Sequence, residues 1–297
     1  MVVSSPLSVH SLPSWNVSAP DLGPQLQRQV FFLGARRGQR LAIAHRPSDR
    51  AVGGLLYIHP FAEEMNSTRP MAALAARDFA QRGWLVLQLD LAGCGDSSGD
   101  FGDASWQDWI EDISLACGWL QQNDIDDPVL WTLRAGSLLA ADWLHLQRRT
   151  QPLLLWQPVT NGHLALTQFL RLKAAAQLLG ESDSRSVIAS LRSDIDAGRT
   201  VEIAGYPLSP GVARGLGSAQ LRLTDDYAAP VCLLEVSRTE RTQPTPALHD
   251  LLKKWKAAGI RASHDVVRGP AFWQTLAIET APALIPASVG FLDGLRQ

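Results

Sequence analysis

The residue with the most informative chemistry is Arg134, which stands between a predicted strand and a predicted helix. Residues 129–140 read VLWTLRAGSLLA, an apolar run, a short turn and a second apolar run. A guanidinium stays protonated at ordinary pH and cannot attack a carbonyl carbon, but its planar set of N–H donors suits carboxylate and phosphate groups. The start of a helix also carries a partial positive charge, so an arginine there needs an anion beside it. The sequence therefore predicts that Arg134 contacts an internal carboxylate or an anionic ligand.

A nucleophilic serine is the second chemistry to consider. Residues 95–99, GDSSG, satisfy the Gly-x-Ser-x-Gly pattern of turns that expose such a serine between a strand and a helix. The next residues are DFGD, however, rather than the start of an apolar helix. We therefore interpret Ser97 and Ser98 as turn residues that hydrogen-bond nearby backbone groups. Ser137 is expected to point along its helix rather than into a cleft.

Composition argues against several other functions. The 27 basic and 29 acidic residues give a formal charge of −2, which does not favour binding to nucleic acid. Cys94, Cys117 and Cys232 are too far apart for a metal site and are expected to be reduced thiols. Residues 93–95 lack the third glycine of a dinucleotide site, so we expect no such cofactor. We expect no metal either, because no cluster of ligand residues is visible. The sequence has no run of about 18 apolar residues and no secretion signal, which predicts a cytoplasmic protein without a transmembrane segment.

Alternating strands and helices must position these groups. Residues 1–25, rich in Ser and Pro, are predicted to form a tail, and residues 26–297 an α/β domain. Short apolar runs alternate with helical spacing from residue 53 to residue 156, which is typical of a mostly parallel central sheet with helices on both faces. The rhythm breaks over about 161–226, where we predict a helical lid insertion, and then resumes.

Local signals place several helix ends. Pro70 suits the first turn of the helix that follows the strand at 55–58. Ser105, with Asp108 three residues later, predicts a capping box. A last helix is predicted from Phe272 onward.

Three motifs resemble one known family. They are HPFAEEMN at 59–66, LDLAGCGDSSGDFGD at 89–103 and GPAFWQ at 269–274. Together with the order of elements, they look like the exosortase A system-associated hydrolase 2 family, and the resemblance covers about residues 30 to 297. It implies an α/β-hydrolase fold and a role beside a bacterial exosortase and exopolysaccharide system, with protein partners from that system.

The resemblance also implies where catalytic residues should stand, and this sequence departs from it. The nucleophile turn aligns with residues 132–136, so Arg134 takes the place of the serine. The segment after the last strand, 268–273, contains no histidine, and we interpret His264 as structural. Glu235 and Glu240 are the candidates for the acid. With the serine and the histidine both missing, an acid alone would orient nothing.

The predicted site is therefore a binding site built from the remaining groups. Glu63 and Glu64 lie in the loop that forms the other wall of the cleft, and either could pair with Arg134. A permanent buried ion pair between Arg134 and Glu64, filling an inactive site, is the alternative to ligand binding. The backbone N–H groups of Phe61 and Ala135 resemble the oxyanion-hole donors of the family.

His59 is expected beside these groups, where we favour support of the loop over acid–base work. We predict a small anionic or acyl ligand and no serine catalysis. The alternative is a hydrolase that acts on an ester or thioester without a triad, with Glu63 or Glu64 activating water. A third hypothesis is a structural partner of export-system proteins that binds through the segment 161–226.

Overall fold

A nine-stranded sheet organises the chain in the computed structural model, which describes residues 9–10, 26–177, 184–275 and 277–296. The strands follow the spatial order β1-β2-β3-β5-β4-β6-β7-β10-β11. The first three pairings in that order are antiparallel, and the six strands from β5 to β11 are parallel. Their bounds are Val9–His10, Leu26–Gly34, Gln39–Pro47, Gly53–Ile58, Trp84–Leu89, Val129–Leu133 and Leu153–Trp156 for β1 to β7, and Val231–Ser237 and Ala262–Arg268 for β10 and β11.

Helices cover both faces of this sheet. Met71 and Phe79 of α1 and Leu292 of α8 are buried against one face. Trp109 of α2 and Leu138 of α3 are buried against the other. The helix bounds are Ala62–Gln81, Trp106–Gln121, Gly136–Gln147, Gly162–Gln177, Ser184–Asp196, Pro210–Ser218, Pro246–Ala257 and Leu284–Gly294 for α1 to α8. The predicted α/β-hydrolase architecture, a mostly parallel sheet between two layers of helices, is confirmed.

The segment between β7 and β10 holds α4, α5 and α6 and a two-stranded hairpin, β8 (Val201–Ile203) with β9 (Tyr206–Leu208). It falls within the predicted insertion at 161–226. Helix α4 packs on α5 and α6, and β9 contacts the short 3-10 helix Phe101–Asp103. This segment therefore lies beside the end of the sheet where the strands β4, β6 and β7 finish.

Two predicted helix starts are wrong. Helix α1 begins at Ala62, so Pro70 lies inside it rather than in its first turn. Helix α8 begins at Leu284, and Phe272 lies in a turn twelve residues earlier. Met71, next to Pro70, and Phe272 are fully buried. The apolar residues at both places therefore indicate burial rather than the start of a helix.

Other local predictions are confirmed. Ser105 and Asp108 form the capping box of α2. Ser97 and Ser98 accept hydrogen bonds from the backbone N–H groups of Leu41 and Gln39, so both serines serve the backbone. Of the predicted N-terminal tail, residues 9 and 10 form β1, which pairs with β2, and the rest lies outside the described residues. No described helix is both long and apolar enough to cross a membrane.

Candidate anion-binding site

The site is built on the turn between β6 and α3. Arg134 adopts a left-handed backbone conformation with φ of +53°, which costs free energy for a residue with a side chain. Its N–H donates to the Trp156 carbonyl oxygen at 3.1 Å, and its own carbonyl oxygen accepts from the Val159 N–H at 3.2 Å. Neighbouring strand ends thus hold the turn in this conformation.

Gly136 explains why the helix can begin directly after the turn. A Cβ atom on this residue would lie 2.4 Å from the Ile58 carbonyl oxygen, so only glycine lets α3 approach the end of β4 this closely. The first glycine of the aligned pattern is replaced by Thr132, whose buried hydroxyl has no hydrogen-bond partner among the described residues. The turn therefore keeps its sharp geometry with arginine at its apex.

Arg134 meets one carboxylate and one aromatic ring. Its Nε donates to Glu64 Oε1 at 3.0 Å, and the two side chains are 17% and 26% exposed. The guanidinium carbon lies 5.5 Å from the centre of the Trp273 ring, a cation–π contact. Within the described part of the chain, neither terminal nitrogen of Arg134 makes a hydrogen bond to a protein atom. Two donor groups of the guanidinium therefore remain open to a ligand.

Burial and charge act on Glu64 in opposite directions. Burial raises the pKa of the Glu64 carboxyl, and the adjacent Arg134 guanidinium opposes that rise without cancelling it. Glu64 follows Glu63 in the first turn of α1, where the helix N-terminus favours a negative charge. Glu64 is thus an internal counter-ion whose protonation would release Arg134 for another anion.

Two backbone donors stand at the ends of the loops that frame Arg134. Phe61 precedes α1 and Ala135 precedes α3, and neither helix start has a side-chain cap. We find no hydrogen bond from the N–H of Phe61 or of Ala135 to any other described residue. Ala62, like Arg134, has a positive φ of 53°. Open N–H groups at two helix starts, held by strained backbone, suit a bound oxyanion or carboxylate.

A cavity of about 380 Å³ opens beside these groups. Arg134 and Ala135 line it, together with residues 61–64 at the start of α1. The other walls come from the loop after β7, from α4 and from the loop after β11, and their residues are Val159, Ala165, Gln168, Phe169, Leu172, Trp273 and Gln274. The lining is mainly apolar, with a few charged groups from the start of α1 and the turn after β6, which is typical of a small-molecule site.

The predicted residues Glu63 and His59 behave differently from Glu64. Glu63 is exposed, and its Oε2 accepts a hydrogen bond from the Tyr206 hydroxyl at 2.8 Å, so it is tied to the hairpin β8–β9. His59 is buried and does not line the cavity. Its Nδ1 lies 2.6 Å from the Pro60 carbonyl oxygen, and its Nε2 accepts from the Leu91 N–H at 3.1 Å.

These bonds fix the role of His59. Because a carbonyl oxygen can only accept, Nδ1 carries the proton, and both ring nitrogens are occupied. Burial lowers the pKa of His59, which keeps the ring neutral. The structure therefore does not bring His59 to the cavity, and places it as a bridge between the loops after β4 and β5.

The remaining triad candidates are committed elsewhere. Glu235 is fully buried in β10 and binds His264 Nε2 at 2.9 Å and Arg241 at 3.1 Å, while also accepting the Thr245 N–H before α7. That His264 is structural stays a prediction, and its contact with the buried Glu235 agrees with it. The Ser137 hydroxyl donates to backbone carbonyl oxygens of Arg134 or Val159.

Thiol and metal chemistry give no further candidates in the described ranges. Cys94, Cys117 and Cys232 are buried free cysteines, and burial raises the pKa of each thiol. No group of His, Cys, Asp and Glu side chains in the described part of the chain is arranged to hold a metal ion.

The sequence analysis missed the aromatic and apolar side of the site. Trp273 follows β11, in the segment where the fold carries its catalytic histidine, and it contacts Arg134. The tryptophan in the motif GPAFWQ was the available signal, because its ring can make a cation–π contact with an arginine. Phe169 and Leu172 of α4 gave no such signal, because helical spacing cannot tell a cavity wall from a core face.

Comparison with known proteins agrees with this fold. A model of the serine aminopeptidase S33 family matches residues 51–202, which is half of the chain. A comparison with curated protein sequences finds no match.

Similar solved structures share the architecture over most of the chain. A thermostable carboxyl esterase from Bacillus coagulans, in complex with glycerol, has a TM-score of 0.62 and 14% identity, covering 92% of this chain and 99% of its own. The esterase Est1E from Butyrivibrio proteoclasticus with bound ferulic acid has a TM-score of 0.58 and 13% identity, covering 90% of this chain and 100% of its own. An α/β serine hydrolase without a lid from Xanthomonas campestris has a TM-score of 0.53 and 14% identity, covering 91% of this chain and 94% of its own. Likeness at these identities shows the fold, and the family match adds the lineage: this chain belongs to the serine aminopeptidase S33 family of α/β-hydrolases.

Proposed function

We propose that this protein binds a small anionic ligand at Arg134 and does not use that turn for nucleophilic catalysis. The observation that carries the proposal is the guanidinium itself. It stands at the left-handed turn between β6 and α3, it uses one nitrogen on Glu64, and it leaves two nitrogens open beside a cavity of about 380 Å³.

The ligand's charged group would sit where these donors meet the cavity. A carboxylate or phosphate can accept two parallel hydrogen bonds from a guanidinium, and such charge-assisted bonds are the strong ones. The open N–H groups of Phe61 and Ala135 supply further donors. In this proposal α4, which lines the cavity, acts as the predicted lid.

Loss of the catalytic triad is part of the proposal. A serine or cysteine at the turn would need an imidazole within hydrogen-bond reach. Residues 269–283 after β11 contain no histidine, and Trp273 stands there against Arg134. Neither His59 nor His264 lines the cavity: both ring nitrogens of His59 and Nε2 of His264 contact other groups.

We also propose that the protein works beside a bacterial exosortase and exopolysaccharide system. The three motifs at 59–66, 89–103 and 269–274 support this context. Co-purification of the tagged chain with proteins of such a system is the expected result, and their consistent absence would count against the context without touching the binding proposal.

Calorimetric titration with benzoate tests the binding proposal. Wild-type protein should bind, and Arg134→Ala should reduce affinity at least about hundredfold, since a charge-assisted pair is worth roughly 3 kcal/mol. Arg149→Ala, which removes an exposed arginine paired with Asp127, is the charge-matched control and should bind as wild type does. Equal affinity in Arg134→Ala would reject the proposal.

A second candidate function is ester or thioester hydrolysis by a water that Glu64 activates. The open N–H groups of Phe61 and Ala135 favour it, because they could stabilise an oxyanion without any serine. Glu63 is the weaker base here, since Tyr206 already donates to it.

Glu64→Gln separates the two functions. Under the hydrolytic alternative this variant loses turnover of p-nitrophenyl esters and acyl thioesters. Under the binding proposal wild-type protein shows no turnover, a serine-directed fluorophosphonate leaves it unlabelled, and Glu64→Gln still binds benzoate.

A further inference from the structure

The walls of the cavity beside Arg134 carry information about the rest of the ligand. We infer that the ligand is a monocarboxylate with an apolar, preferably aromatic, tail that lies against Phe61, Phe169 and Leu172. This inference rests on the proposed anion site at Arg134 and goes beyond it by naming the ligand class.

Helix α4 has two apolar faces. Leu166, Leu170 and Ala174 are buried on one face. Ala165 and Phe169 of the other face are only partly buried against the core. Ala165, Phe169 and Leu172 follow a second stripe with spacings of four and three residues, and all three line the cavity. Leu172 is 48% exposed at this position, so core packing does not account for it. The second stripe presents an apolar surface to a ligand.

Aromatic rings define the shape of the apolar part. Phe61 and Phe169 meet edge to face with their ring centres 5.3 Å apart. Phe61 also stacks near Phe101, 6.3 Å away, so its position is fixed from behind. Trp273 lines the cavity beyond Arg134. A flat ring or short chain would meet aromatic faces and edges here, which favours an aromatic tail.

The charges of the cavity limit the ligand to a single negative charge. Of the described residues that line it, Arg134 alone is cationic, while Glu63 and Glu64 are acidic. A second negative charge, as on a phosphate monoester, adds repulsion from these carboxylates that no second cation of the lining offsets. The lining also offers few neutral polar side chains, Gln168 and Gln274, so a sugar would leave hydroxyl groups without partners. These two arguments disfavour a sugar phosphate.

A panel of four probes tests the inference by calorimetry. The probes are 3-phenylpropanoate, acetate, 3-phenylpropan-1-ol and phenyl phosphate, which separate the tail from the charge. Wild-type protein should bind 3-phenylpropanoate most tightly, with acetate at least about a hundredfold weaker because each buried methylene is worth about fourfold. 3-Phenylpropan-1-ol and phenyl phosphate should each bind at least about tenfold more weakly than 3-phenylpropanoate.

Matched variants on α4 test the position of the tail. Leu172→Gln should weaken 3-phenylpropanoate at least about fourfold and leave acetate unchanged. Leu164→Gln is the control, because Leu164 is 58% exposed on the same helix and does not line the cavity. It should bind both probes as wild type does.

The outcomes distinguish the two levels of the proposal. If acetate or phenyl phosphate binds as tightly as 3-phenylpropanoate and still requires Arg134, the anion site stands and the inferred ligand class is wrong. If 3-phenylpropanoate binds equally to wild type and to Arg134→Ala, the anion site itself is wrong. Binding that Leu172→Gln and Leu164→Gln alter equally, or not at all, would also overturn the inferred place of the tail.

Discussion

At the scale of single residues, the account depends on what a permanently charged side chain does at a helix start. Arg134 lies near unsatisfied N–H groups that repel it, and Glu64 offsets that repulsion through one hydrogen bond. A partly buried ion pair of this kind contributes little net stability, because desolvation opposes the attraction. The ion pair is better explained by a role in binding, in which Glu64 and a ligand compete for the guanidinium of Arg134.

Replacing Glu64 should strengthen anion binding and remove its pH dependence. Burial raises the pKa of Glu64, so lowering the pH towards that raised value neutralises the carboxyl and removes its competition for Arg134. Wild-type affinity for benzenesulfonate, which stays ionised throughout, should therefore rise as the pH is lowered from about 8 towards the ordinary carboxyl pKa of 4.5. Glu64→Gln should bind about tenfold more tightly at pH 8, equivalent to about 1.4 kcal/mol, with a flat pH profile. Calorimetry across this range measures both effects, and weaker binding by the variant would contradict the competition.

Restoring a serine should not restore hydrolysis. Arg134→Ser places a hydroxyl at the turn, but neither His59 nor His264 lines the cavity beside it. Without a general base the serine stays a poor nucleophile. We expect no turnover of p-nitrophenyl acetate above background and no fluorophosphonate labelling of this variant, and stoichiometric labelling would show that a base is within reach.

At the scale of elements, the close approach of α3 to β4 positions the turn. Gly136→Ala should lower the free energy of unfolding by about 1–3 kcal/mol, because the added Cβ would lie 2.4 Å from the Ile58 carbonyl oxygen. Gly290→Ala is the control: a Cβ there meets no atom within 4 Å, and alanine in a helix should be neutral or stabilise by up to about 1 kcal/mol. Urea unfolding measures both. Equal effects would show that the approach of α3 does not constrain residue 136.

A buried ion pair ties the antiparallel strand β3 to α2. Arg40 Nε lies 2.7 Å from Asp112 Oδ1, both side chains are almost fully buried, and Asp112 also accepts the Ala92 N–H. Asp112→Ala should destabilise the protein by about 3–5 kcal/mol, because it leaves a buried guanidinium without a counter-charge. Asp127→Ala, in the exposed pair with Arg149, should cost less than about 1 kcal/mol. Thermal unfolding compares them, and similar small losses would show that Arg40 finds water or another acceptor.

The sequence predicted the elements well where burial and period agree. The strands β4 to β7 read as apolar runs because both of their faces are covered, and the capping box at Ser105 fixed the start of α2. Pro70 was misplaced because the start of α1 has no side-chain cap and its first residue, Ala62, has a positive φ. Local preferences could not reveal a helix start that the surrounding loops impose.

At the scale of the whole molecule, segments far apart in the chain build one cavity. The start of α1 supplies Phe61 and Glu64, the turn after β6 supplies Arg134, α4 supplies Phe169, and the loop after β11 supplies Trp273. The family resemblance predicted the first two segments, because the fold brings those strand ends together. The last two depend on how the segment between β7 and β10 and the C-terminal loop pack, and no sequence period reports that packing.

A different side chain at the turn after β6 is compatible with the fold of the S33 family. The sheet and its helices hold the turn, and the chemistry depends on the side chain at its apex. Here the apex carries a cation, and the segment after β11 carries an aromatic partner for that cation. Both side chains suit the proposed anion binding.

The most direct test of the central claim is a crystal structure of the protein with 3-phenylpropanoate. The account predicts the carboxylate oxygens about 2.7–2.9 Å from the open Nη atoms of Arg134, with the ring beside Phe169. A carboxylate bound away from Arg134, or a cavity that stays free of the probe at saturating concentration, would contradict it.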